Sequence, residues 1–419
     1  MIAWLRALPF FALFPGYFAY HWAALNGWTP LVLGGYVNEV SALICVGFVL
    51  AWSISLLVGR RVKVCLTVVD TCFALFMAWF SAIVLLHVLI ASTPGVTNGH
   101  IASLVQLLAC YLALRHVSLE LVCTSLLWTT AVFSAAVLWA AQTDLLGLLL
   151  RGSDESSAAT YQGLARAVLI TAAFGITGQR SRLIRWSCYM ITLFVLFLVG
   201  ARSEIAGAAI LFGVLEVAAS RRPMLTAMVV VASTVLGVIV VIGALDTLSE
   251  FFPDSRFLAL LLEGSGDASA VERALYQELA WRAVLDSPML GDYGHYERVA
   301  SAGAYAHNWL SAWVDLGLMG LMLFTALHLI AAWSAALVYR SAAASGDSVR
   351  KRQAALGIGL LAMVTVFNLV AKGFADPGLA TATALLAAFV GAHPFRSKVT
   401  VPRSVRKSAG KNHLPVQLA

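Results

Sequence analysis

Two residues combine type and position in a way that could do chemistry: Arg202 and His307. Arg202 lies in the run Leu198-Val199-Gly200-Ala201-Arg202-Ser203-Glu204, where two apolar stretches meet with almost no loop between them. A charged side chain near a bilayer is costly, roughly 2.5–3.5 kcal/mol at a helix centre, so it needs a reason. The ordinary reason is pairing with Glu204 or snorkelling toward headgroups. The functional one is a planar guanidinium that grips phosphate oxygens at two points, with Ser203 beside it. His307 opens Ala306-His307-Asn308-Trp309-Leu310 ahead of another apolar stretch, with Asn308 placed as an N-cap. A helix N-terminus disfavours imidazolium and offers free N–H groups to an anion, so a neutral His307 could take up a proton near pH 7. Imidazole is also an ordinary capping group, and taken alone His307 is as well explained by structure.

The combination is more informative. Arg256, Arg273, Arg282 and Arg298 lie in the segment between Leu248 and His307, and Arg151, Arg166 and Lys372 lie in or beside shorter connections on the same expected face. Arginines close to a bilayer together with two helix N-termini suit a pyrophosphate at the membrane surface. A simple basic field is not the cause, because residues 247–308 carry nine acidic residues against four arginines. Anion binding there has to come from placed guanidiniums. No Asp-x-Asp pair occurs, and no His/Cys group has metal-ligand spacing, so neither a metal nor another cofactor is expected. His295 reads as structural, and Asp70 as a helix-end carboxylate that snorkels or pairs with a basic neighbour.

These residues are positioned by a chain of 419 residues that is 60% hydrophobic and only 12% charged, with a mean hydropathy of +0.85. Soluble domains are about a quarter charged, so the composition belongs to the membrane class. Apolar segments predict spans near 7–25, 40–59, 64–91, 101–118, 119–141, 163–178, 186–200, 205–219, 224–246, 309–338, 354–371 and 378–393. The first is counted as a helix rather than a cleaved signal, since it runs into Tyr20-His21-Trp22 without a small-residue cleavage site. The net charge of +7 reports topology rather than nucleic acid: 20 of the 28 basic residues fall in alternate connections or at the ends beside them. The clusters are Arg60-Arg61-Lys63, Arg180 to Arg185, Arg221-Arg222, Arg340 to Arg352, and a tail over 394–419. Both termini are therefore expected in the cytoplasm, and the whole chain reads as one integral membrane domain. The six cysteines all fall in apolar stretches, which argues against a disulfide framework.

The segment 247–308, between the ninth and tenth predicted spans, is the only long connection. Val271, Leu275 and Leu279 recur at i, i+4 and i+8 and predict a helix over 269–285, with Trp281 suited to the membrane interface. Ser287-Pro288 and Gly291-Asp292-Tyr293-Gly294 read as breakers and a turn. A phosphate loop would need a preceding strand and a following helix.

Gly200-Ala201-Arg202-Ser203, a long external loop, and His307-Asn308-Trp309-Leu310 leading into Asp315-Leu316-Gly317-Leu318-Met319-Gly320-Leu321 together resemble the O-antigen ligase and polymerase superfamily. Arg273 and Trp281 followed by Pro288 and Gly291 are similar to that family's loop, and Asp376-Pro377 to its closing segment. The local likeness covers residues 196–322 and 370–391; the first half agrees in helix number. The resemblance implies a GT-C-like all-α fold of about twelve transmembrane helices in the bacterial inner membrane, with the long loop periplasmic. It also implies metal-independent transfer from an undecaprenyl-diphosphate-linked glycan, with His307 as base and Arg202, then Arg273, on the pyrophosphate. Arg282, Arg166 and Arg151 are further candidates on position alone.

Within the superfamily the single late loop resembles ligases, which transfer glycan to lipid A-core in lipopolysaccharide synthesis. The arginine-x10-glycine spacing of polymerases is absent from 142–162 and 247–308. Polymerization of O-antigen or exopolysaccharide, and transport of a lipid-linked glycan, remain the alternatives.

Overall fold

A computed structural model describes residues 2–30, 36–58, 65–90, 93–142, 161–252, 256–263, 268–300, 305–306 and 308–392. Its regular elements are all helical; among the described residues there is no strand. Helices α1 (Ile2–Phe11) and α2 (Tyr17–Leu25) are joined by a π-helical stretch, Ala12–Gly16, that contains Pro15. Then follow α3 (Tyr36–Leu57), α4 (Val68–Ile90), α5 (Pro94–Arg115), α6 (Leu119–Gln142), α7 (Tyr161–Thr177), α8 (Arg182–Val199), α9 (Arg202–Ala219) and α10 (Pro223–Gly243). The long connection contributes α11 (Leu245–Phe251), α12 (Arg256–Glu263), α13 (Ala268–Asp286) and α14 (His295–Val299). Helices α15 (Leu310–Ser345), α16 (Ser348–Val370) and α17 (Pro377–Ala392) close the chain.

Eight of the described helices, α3, α4, α5, α6, α8, α10, α15 and α16, are long and apolar enough to cross a membrane. The chain is thus an all-helical, multi-pass membrane protein. The other four predicted spans coincide with helices that are shorter (α7, α17), interrupted (α1–α2) or richer in charge (α9).

The exposed surface carries the signature of a lipid-facing belt. Only Thr226 of α10 is buried, while Val231, Val235, Leu236, Ile239 and Ile242 stand more than half exposed. In water such a contiguous patch would drive association; in lipid it is solvated. The two short helices take the opposite position: α7 and α17 are buried along most of their length. At about 1.5 Å per residue they rise only roughly 25 Å, and longer neighbours enclose them. Helices α9 and α16 form the most extensive helix pair. A Cβ on Gly207 would fall 2.3 Å from the Phe367 ring, and one on Gly359 would fall 2.9 Å from the Leu211 carbonyl oxygen. Small residues are what let these backbones approach.

The antiparallel helices sort charge to two ends. Residues 180–185, 219–222 and 342–352 meet at one, where Lys351 Nζ donates to Ser220 O (2.7 Å) and Arg352 Nε to Thr177 O (3.2 Å). Residues 200–204, 288–300, 308–315 and 371–377 meet at the other, the long-loop end. Asp70 pairs with Arg115 Nε at 2.8 Å, as its helix-end position predicted.

Candidate functional site

At the long-loop end Gly200 caps α8 in the left-handed conformation (φ 73°), and the chain re-enters α9 after one further residue. That tight turn puts Glu204 in the first helical turn, where a carboxylate suits the helix dipole. Glu204 is fully buried, so its charge has to be met by the protein. Ser203 Oγ donates to Oε2 at 2.6 Å and Arg166 Nη2 to Oε1 at 3.2 Å, with Lys372 Nζ 3.9 Å away. Arg166, from α7, also donates through Nη1 to Asp376 Oδ2 at 2.6 Å. Asp376 in turn accepts the Gly378 N–H at 2.8 Å and so caps α17, which starts at Pro377. Lys372 Nζ donates to Gln162 Oε1 at 2.5 Å.

Two cations and two carboxylates thus form one buried, charge-balanced network across α7, α9 and the 371–376 connection. Burial works against ionisation of Asp376, but the Arg166 and Lys372 charges hold its carboxyl below the usual range. Burial, with the neighbouring Arg166 charge, pushes the Lys372 amine down.

The same connection is tied to the start of α15. Phe374 N–H donates to Ser311 Oγ at 3.0 Å, and the Ser311 hydroxyl donates to Asn308 O at 2.8 Å. Asn308 Oδ1 accepts the Leu310 N–H at 3.0 Å, although the N-cap position itself falls one residue later, at Trp309. Helix α15 then breaks at Gly317 (φ 69°, ψ −175°). A break strands carbonyls that must find donors elsewhere. Val314 O accepts from Asp292 N–H (2.6 Å) and Leu316 O from Trp79 Nε1 (3.0 Å). Leu318 N–H donates to Met289 O at 3.1 Å, and Gly294 N–H to Asp315 Oδ1 at 3.2 Å. The turn expected at 291–294 is present, with positive φ at both glycines, and it docks on this break. Glu297 accepts the N–H groups of Gly95 (3.1 Å) and Val96 (2.8 Å), capping α5 from the long loop.

A cavity of about 340 Å³ lies between these parts, walled by His100 of α5, Gly294, Tyr305, Asp315 and residues 372–377. A second, of about 240 Å³, holds Gln106, Gln162 and Arg166 and shares Lys372 and Pro377 with the first. Burial and the Asp376 charge push the Tyr305 phenol up to about 12, against the pull of Arg166 and Arg273. The arrangement can bind a polar or anionic head while apolar walls exclude water.

The predicted residues are distributed as follows. Arg166, Ser203 and Asn308 belong to the connected network. Arg202 occupies the first position of α9, half-buried and next to Ser203, and is not among the residues walling either cavity. Arg273 is exposed on α13, yet its charge reaches Lys372 and Tyr305. Arg282 and Trp281 stand on the exposed side of α13, which spans 268–286 much as predicted, and Arg282 pairs there with Glu278. His295 and Arg298 both engage Asp292. His307 and Arg151 lie outside the described residues. Sequence reasoning underrated Glu204, Lys372, Asp376 and Gln162. The available signal was that any ion in an apolar segment requires a partner.

No protein-family model and no curated protein matches this chain.

Proposed function

We propose that the chain is a glycosyltransferase of the O-antigen ligase type, taking glycan from undecaprenyl diphosphate to lipid A-core on the non-cytoplasmic face. One observation carries the reading: the separated stretches on which the resemblance rests are linked physically. Ser203–Glu204–Arg166–Asp376 joins the α9 turn to the closing segment. Phe374–Ser311–Asn308 joins that segment to the stretch after His307, and Gly294–Asp315 joins the long loop to the α15 break. Convergence of distant segments on one cavity is what a two-substrate site requires.

In this reading Arg202 and Arg273 hold the pyrophosphate, while Arg166, already spanning two carboxylates, keeps the closing segment in register. His307 removes the proton from the acceptor hydroxyl as its oxygen attacks the anomeric carbon. The bond to the diphosphate breaks with its electron pair leaving on oxygen, the anomeric centre inverts, and arginine charge stabilises the departing group. The reading includes twelve spans, a GT-C-like arrangement and an inner-membrane location with both termini cytoplasmic.

Transport of a lipid-linked glycan is favoured by a different observation, the broken helix at Gly317. Purified protein incubated with lipid-linked glycan and lipid A-core distinguishes these. A glycan ladder on the core, retained in EDTA, is the expected outcome. Longer glycan left on the carrier indicates polymerization, and no new product favours transport.

A further inference from the structure

The basic end of the bundle holds a larger cavity than the long-loop end, about 750 Å³, which the proposed transfer does not use. Its cationic wall comprises Arg182, Arg185, Arg221, Arg222, Lys351 and Arg352. The two carboxylates present are both committed. Glu216 accepts Arg185 Nε (2.5 Å) and Nη2 (3.0 Å) together with the Tyr189 hydroxyl (2.7 Å). Asp347 Oδ1 caps α16 through the N–H groups of Val349 (2.9 Å) and Arg350 (3.3 Å).

Arg352 is only 8% exposed, donates Nε–H to the Thr177 carbonyl, and meets no carboxylate within salt-bridge distance among the described residues. Lys351 donates to the Ser220 carbonyl and likewise meets no carboxylate within salt-bridge distance among the described residues. The basic connection 59–64 and the tail 393–419 contain no Asp or Glu side chain. A buried guanidinium without a counter-charge is costly, and an anion from outside the chain would remove that cost.

The cavity has an apolar neighbour on the same two helices. An apolar groove of about 550 Å³ runs between α9 and α10, lined by Gly213, Val217, Ala227, Val230 and Tyr339 among others. It begins where the basic wall ends: Ala218 and Pro223 of the groove adjoin Ala219 and Arg222 of the cavity, and Lys351 Nζ sits 5.8 Å above the Tyr339 ring. Small side chains at Gly213 and Ala227 leave room for a chain-like apolar group along the helices. A free phosphate would use the cavity alone; an amphiphile uses both.

We propose that the basic end is a binding site for an anionic phospholipid, its phosphate among Arg222, Lys351 and Arg352 and one acyl chain in the α9–α10 groove. Basic recesses between transmembrane helices recognise lipid headgroups in this way. The inference is independent of the proposed glycosyl transfer.

The test uses full-length protein in nanodiscs of phosphatidylcholine with graded phosphatidylglycerol, reading lipid retained on extraction into neutral detergent by native mass spectrometry. Inorganic phosphate binding in detergent is a separate arm. Phosphatidylglycerol should be retained in preference to phosphatidylcholine. Arg222→Gln and Lys351→Gln, on partly or fully exposed side chains, should each weaken retention about fivefold, the equivalent of one charge near a headgroup. Ala227→Trp, which fills the groove, should reduce phosphatidylglycerol retention and leave phosphate binding unchanged. Equal retention of the two lipids, or no response to either charge change, overturns the proposal. Indifference of lipid retention to Ala227→Trp also overturns it, leaving a site for a soluble anion.

Discussion

At the long-loop end the half-buried guanidinium of Arg166 spans two carboxylates, whereas at the basic end that of Arg352 meets a backbone carbonyl and stands among other cations. Both arginines come from helices in the bundle interior, and neither could remain there without something to offset its burial. The long-loop end supplies the offset from within, by bringing α7, α9 and the closing segment onto one ion network. The basic end leaves it to an outside anion. The lesson concerns ligands: an internally neutral network organises a site without attracting charge to it. Any pyrophosphate at the long-loop end would depend on placed guanidiniums, Arg202 and Arg273, while the basic end attracts anions by its excess charge.

The largest effect expected from breaking this contrast is at Arg166. Arg166→Leu leaves Glu204, fully buried, and Asp376 without their main cation, and removal of one partner from such a pair costs about 3–5 kcal/mol. Thermal unfolding in detergent should show a loss of that order, largely recovered when Glu204→Gln and Asp376→Asn are added. Failure of the triple variant to recover would mean that packing, not charge balance, holds the network. Acid breaks the same pair reversibly. Asp376 is held below its unfolded value of about 3.9, so its stabilisation is complete above that pH and is lost as pH falls through the lower folded value. The stability difference between wild type and Asp376→Asn should therefore be constant near neutrality and shrink only in strong acid.

A smaller, sharper comparison uses two glycines with the same backbone angle, one at each end. Gly317 and Gly346 both have φ of 69°. An added Cβ at Gly346 meets nothing within 4 Å, but at Gly317 it falls 2.5 Å from Met289 O. Gly346→Ala should cost only the left-handed penalty, about 1–2 kcal/mol. Gly317→Ala should cost more and release the 288–294 turn, read as faster protease cleavage there. Equal losses would show that the turn is not seated on the break.

What sequence could anticipate follows from how locally each feature is encoded. The helical, multi-pass class follows from hydropathy, and α13 from the spacing of Val271, Leu275 and Leu279. The 291–294 turn and the contact of Asn308 with the next helix were also readable from neighbours; that Asp70 needs a basic partner followed from its helix end, but its choice of Arg115, 45 positions away, did not. The Arg166–Glu204 and Arg166–Asp376 contacts join residues 38 and 210 positions apart, and no periodicity announces such a meeting. Ser203 and Glu204 illustrate the difference. Their helix start was evident, but Arg166, which reaches Glu204, comes from α7. The groove beside α10 was equally invisible, because an apolar span reads the same whether it faces lipid or a recess.

The smallest expected effect on stability is at Arg282, which presents the opposite environment to Arg166. Its side chain is 69% exposed and its partner Glu278 is 60% exposed, one turn away on α13. Water and salt screen such a pair, and exposed pairs contribute about 0–1 kcal/mol. Arg282→Ala should therefore leave the thermal unfolding curve within that range, against the large loss at Arg166. Activity then becomes the informative readout, because a stability loss cannot account for any change. If Arg282 serves only its local pair, glycan transfer at subsaturating as well as saturating donor should match wild type at low and high salt. If it contacts the pyrophosphate, transfer should fall, with the deficit largest at low ionic strength and concentrated in the donor KM. That second outcome would move the anion-binding surface out along α13, beyond the network that Arg166 organises, and assign the long loop a direct part in donor capture.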